Sequence, residues 1–138
     1  MWILYAFLAA FFAGITAILA KIGIENVDAN LAVAIRTTVV LLMSWIMVFV
    51  TKTSISSIFE ISMRSWIFLI LSGIATGASW FFFFRAVQIG EVSRVVPIDK
   101  LSVVITIVLA FIFLGETVSI KALIGVVLIT IGTLLMVL

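Results

Sequence analysis

The sequence contains no cysteine and no histidine. Without cysteine there is no disulfide framework, no thiolate metal site and no redox pair. Without histidine the commonest metal ligand and the usual near-neutral acid–base group are also gone. Most hydrolytic and metal-dependent mechanisms thereby lose their usual residues, so neither a cofactor nor a metal is expected. Charge is scarce as well, at 10% of residues. The net charge of +2 comes from scattered residues with no basic run, so no nucleic-acid footprint is present. Proline occurs once, at Pro97.

What fills the chain instead is apolar sequence, 66% of it, with a mean hydropathy of +1.51. A helix needs about 20 mostly apolar residues to cross a bilayer. Five blocks meet that length: Trp2–Ala20, Leu31–Val50, Ser65–Ile89, Val92–Leu114 and Ser119–Leu138. Barrel strands are shorter and alternate in polarity. Continuous runs such as Leu101–Leu114 and Leu123–Leu138 satisfy their backbone in lipid only as helices. The fold class is therefore all-α integral membrane, a five-transmembrane-helix bundle, with residues 1–138 as a single transmembrane domain. No positive side-chain charge precedes the first block and no small-residue cleavage site closes it, so a retained helix is expected there rather than a signal peptide.

Short links join the blocks, so neighbours run antiparallel. Ile89-Gly90-Glu91 and Gly115-Glu116-Thr117 are tight corners, with Gly90 placed as a helix-ending glycine. Five crossings put the termini on opposite sides. Lys52, Arg64 and Lys121 fall on the N-terminal side; Lys21 and Arg94 fall on the other, with Arg36 and Arg85 near it. The Lys/Arg bias that fixes orientation is almost absent. Either the chain still inserts one way, or copies insert both ways and pair as an antiparallel dimer, rebuilding the inverted repeats of transporters.

Small residues mark close helix contacts in lipid. Gly73-x-x-x-Gly77 in the third block and Ala10-x-x-x-Gly14 in the first are read as packing within the bundle. Gly125 and Gly132, seven residues apart on one face of the last block, are the candidate dimer interface.

Charge inside a span costs about 3 kcal/mol or more even on lenient scales and usually faces a cavity or a partner. Arg36, Arg85, Asp99 and Lys100 lie within the blocks. Arg36 sits roughly 8 Å and Asp99 roughly 10 Å deep at 1.5 Å per residue. Asp99 is placed to pair with Arg36 or Arg85. Asp99 and Lys100 are adjacent and point about 100° apart, so a single partner serves both poorly. Pro97 precedes them. Inside a helix it frees a backbone carbonyl and loosens the turn; at a helix start it makes Asp99 a first-turn acid. Pro97 is the candidate helix irregularity, and Asp99 is the one carboxylate deep enough for ion coupling. Trp80 and Phe84 share a helix face four residues apart and are candidate cavity walls, with Trp45 deeper in the second block. The candidate substrate-binding set is Arg36, Trp45, Trp80, Phe84, Asp99 and Lys100.

Several stretches are familiar in order and spacing: Leu19-Ala20-Lys21-Ile22-Gly23, Ala34-Ile35-Arg36-Thr37-Thr38, Ser79-Trp80-Phe81, Arg85-Ala86-Val87-Gln88-Ile89-Gly90, Val95-Val96-Pro97, Phe113-Leu114-Gly115-Glu116, and Gly125 with Gly132. Together they resemble the EamA family of the drug/metabolite transporter superfamily, as one five-helix unit of it. The resemblance implies an inner-membrane carrier, often an exporter of amino acids, metabolites or toxic compounds. Most members fuse two such units of opposite orientation, so this chain is expected to work as a homodimer with a small-molecule substrate. The alternative is an accessory subunit of a heteromeric carrier or complex. Small multidrug resistance relatives rely on a glutamate in their first helix; here no acid precedes Glu25, which argues against that mechanism.

Overall fold

The computed structural model describes all 138 residues and contains helices and no strands. The helices are α1 (Trp2–Gly23), α2 (Ala29–Val50), α3 (Met63–Ile89), α4 (Val92–Asp99), α5 (Ser102–Leu109) and α6 (Ile120–Val137). A short 3-10 turn, Ile55–Glu60, lies in the Ser/Thr-rich link, and a π-helical turn, Ala110–Leu114, follows α5. With α4, α5 and the π turn counted as one span, five helices are long and apolar enough to cross a membrane. The all-α membrane architecture expected from the apolar blocks is what the chain adopts.

The chain divides into two compact units, one of Met1–Lys21 with Ile89–Leu138 and one of Ile22–Gln88. In the second unit, Asp28 caps α2: its carboxylate accepts from the backbone N–H of Asn30 at 2.9 Å and of Leu31 at 3.4 Å. Such a cap satisfies donors that the first helical turn leaves open. The loop before it is tied to the end of α3, where the Gln88 amide donates to the Val27 carbonyl at 3.0 Å. Phe84 and Val87 are buried on the same α3 face, and Ile24 and Ala29 are buried beside the loop. Farther along, α2 beyond Arg36 is exposed apart from Val48, and α3 is exposed from Met63 to Ser79. The two helices are thus closed at one end only.

A Cβ built on Gly73 or Gly77 meets no atom within 4 Å, so within Ile22–Gln88 nothing packs closely on the small-residue stripe of α3. A Cβ on Gly14 likewise meets none, although Ala17, one turn on, is buried.

In the first unit, α6 packs on α4 and α5. Ser119 caps α6 by accepting from the Ala122 N–H at 3.2 Å. Gly115 ends the π turn with φ of 66°, a left-handed conformation that glycine adopts without steric cost. At Gly90 the corner is held differently: its carbonyl accepts from the Lys21 ammonium at 2.9 Å.

Candidate functional site

Several hydroxyls within the spans are satisfied locally. The hydroxyls of Thr38, Ser44, Thr76 and Thr130 each donate to the carbonyl four residues earlier, at 2.8–2.9 Å. Such back-bonding hides a hydroxyl from lipid and leaves it little to offer a ligand. The charged side chains behave otherwise.

Arg36 lies seven residues, roughly 10 Å, past the start of α2. Its guanidinium carbon sits 4.2 Å from the centre of the Trp80 ring and 5.4 Å from that of Phe84. Both distances are within cation–π range, and the attraction grows as water is removed. Three of the six expected binding residues therefore meet. Their roles differ. Phe84 is 3% exposed, so it backs the guanidinium as packing and presents no open wall. Trp80 is half-buried. Within its own unit, Ile22–Gln88, Arg36 receives no hydrogen-bond acceptor or acid beyond its two rings. Trp45, nine residues on, lies on the opposite face of α2 and is 44% exposed, so it is not brought to Trp80 and Phe84.

Asp99 and Lys100 satisfy each other. The Lys100 ammonium donates to Asp99 Oδ2 at 3.4 Å. They pair with each other where α4 ends, and no third group serves both. Arg85 donates to Gln88 Oε1 at 3.0 Å along its own helix.

Pro97 lies inside α4, which starts at Val92, so the reading of it as a helix start is overturned. The backbone is broken just beyond it. In a regular helix the Pro97 carbonyl accepts from Leu101 N–H. Here Leu101 N–H turns to Ile98 O at 2.9 Å, and Val103 and Val104 also bond three residues back. This 3-10 interruption is the kind that marks hinges. The Pro97 carbonyl takes Lys100 N–H at 3.1 Å and, from α6, the hydroxyl of Thr133 at 3.3 Å. Thr133 is 5% exposed. The available signal was a pair of hydroxyls, Thr130 and Thr133, three residues apart on one face of an otherwise apolar helix.

Gly125 and Gly132 are half-buried, and a Cβ on either meets no atom within 4 Å. The Gly115-Glu116 corner lines a cleft of about 200 Å³ with Thr106, Thr117 and Ala122.

The chain thus carries a charge over aromatic rings inside one span and a broken helix in another. The model of the EamA-like transporter family matches residues 1–138. The chain belongs to the EamA-like transporter family. A relative from Sinorhizobium sp, described as an "Uncharacterized transporter in cobO 3'region", is 42% identical over 139 residues, spanning 98% of this chain and 95% of that one. No solved structure matches the chain. This EamA-like chain is therefore a multi-pass membrane protein and a membrane transporter. Nothing in the family or in the relative's name points to an enzyme.

Proposed function

We propose that this EamA-like chain is a secondary transporter subunit of the inner membrane that exports small metabolites, amino acids or drugs as a homodimer. Its 138 residues act as one transmembrane domain. The observation that carries the reading is Arg36, a permanent cation inside a span, held over Trp80 with its N–H groups open. Membrane proteins keep such residues where a substrate or ion passes. Substrate binds at Arg36 and Trp80. The break after Pro97, with the Asp99–Lys100 pair beside it, supplies the moving backbone and the coupling carboxylate. Discontinuous helices serve transporters in this way. The near absence of Lys/Arg bias supports pairing of two oppositely inserted copies, through the face that bears Gly125 and Gly132.

The test uses the purified chain alone, reconstituted into liposomes loaded with an isotope-labelled cell extract. A pH gradient is imposed and the released compounds are identified by mass spectrometry. Release of a defined set of small molecules above protein-free liposomes is expected. Release no faster than from protein-free liposomes overturns a self-sufficient carrier and leaves the accessory-subunit reading.

A further inference from the structure

We infer that Arg36 is a recognition site for the carboxylate of an anionic substrate with an apolar body. The inference rests on the transporter reading and narrows its substrate class. A guanidinium stays charged at any physiological pH, so inside a span it needs a counter-charge or a polarisable surface. Trp80 and Phe84 supply the surface, but a ring face engages the plane of the guanidinium and leaves its N–H edge unused.

No acid of its own compact unit, Ile22–Gln88, is paired with Arg36. Neither α2 nor α3 contains an aspartate or glutamate. Asp99, the acid within the remaining spans, is held by Lys100 at 3.4 Å. Glu91 is paired with Arg94 at 3.1 Å, and Asp28 is committed to capping α2. The free edge of a guanidinium is a planar fork of N–H donors that matches a carboxylate with two parallel bonds. Around Arg36 on the same helix face lie Ala32, Val33, Val39 and Val40. They are small and apolar and offer no second polar contact. A ligand that fits carries one carboxylate for the arginine and an uncharged apolar remainder for its surroundings. This α2 face offers a compound rich in hydroxyls no partner for them.

Equilibrium dialysis of the whole chain in lipid nanodiscs tests this with three probes of one shape: 4-phenylbutyrate, its amide 4-phenylbutyramide, and 4-phenylbutylamine. The carboxylate is expected to bind at least about tenfold tighter than the amide, as a charged hydrogen-bond pair does against a neutral one. The amine is expected to bind weakest. Arg36→Gln should erase the carboxylate preference, and Arg36→Lys, which keeps the charge but not the fork, should retain part of it. Equal binding of carboxylate and amide by the unaltered chain overturns the inference without any variant having to fold. Persistence of the preference in Arg36→Gln overturns it as well, as does failure of the carboxylate to bind at millimolar concentration. Flux of uncharged or cationic compounds in the liposome assay, with no carboxylate preference here, leaves the transporter reading intact and sinks only this one. Carboxylate binding without any flux does the reverse.

Discussion

Arg36 and Trp45 lie on one helix and both stand in the candidate binding set, yet only Arg36 meets Trp80 and Phe84. Nine residues separate them, half a turn out of phase, and α3 comes to one side of α2 only. Sequence could rank intramembrane residues by cost but could not say which faces two helices turn to each other. The contrast makes a paired prediction. Trp80→Leu keeps an apolar surface but removes the ring under the guanidinium, a contact worth about 0.5–2 kcal/mol. Substrate affinity should fall by about threefold to thirtyfold, taking 1.4 kcal/mol as tenfold. Trp45→Leu should leave affinity unchanged; equal losses in the two variants would show that the rings act through general packing. Asp99 calls for a different readout. Its exposed pair with Lys100 contributes little to stability. Asp99→Asn should fold normally, yet lower transport and flatten its dependence on the pH gradient. Unchanged flux and pH dependence would remove Asp99 from coupling.

At the scale of the element, the fourth span is the least regular part of the chain, and its irregularity was only half legible. Pro97 announced a disturbed turn. The sequence did not reveal that the break falls after it, at Lys100 and Leu101, or that a hydroxyl from α6 takes the place of the missing helical donor. That contact joins residues 36 positions apart and leaves no trace in local periodicity. Thr133 gives the Pro97 carbonyl a second donor beside Lys100 N–H and ties the bend to α6. Thr133→Val preserves volume and removes the donor from a buried site. Stability should fall by about 1 kcal/mol, the typical net value of one hydrogen bond. Transport should slow as the fourth span straightens toward a regular helix. Thr133→Ser should restore both. A Thr133→Val chain that melts and transports like the original would make the contact incidental. The five spans themselves were legible to within three residues at each end, because length and hydropathy are local quantities.

Across the whole molecule, hydropathy identified what enters the membrane but not which faces the chain covers for itself. In lipid, inward and outward surfaces are both apolar, so the inside-out contrast that marks the core of a soluble protein is missing. The glycine stripes show the consequence. The Gly73 and Gly77 stripe was expected to be spent on internal packing, yet its own compact unit leaves it open, as the other unit leaves Gly125 and Gly132. Open small-residue faces let another helix approach closely. They are also testable, because a Cβ added there meets no atom of the chain within 4 Å. Gly132→Leu should leave the isolated chain folded and as helical as before, while dimers give way to monomers and transport is lost. Retention of the dimer would move the interface elsewhere, with the Gly73 and Gly77 face of α3 the next to substitute. Orientation decides what kind of dimer forms. The chain has no cysteine, so single cysteines after Met1, at Lys121 and after Leu138 can each be labelled from one side of intact cells. Oppositely inserted copies predict partial labelling at all three positions. Full labelling at the first two and none at the last, or the reverse, would mean that every copy inserts the same way. The self-sufficient antiparallel carrier would then fail, leaving a parallel dimer or a second protein of opposite orientation as the missing half.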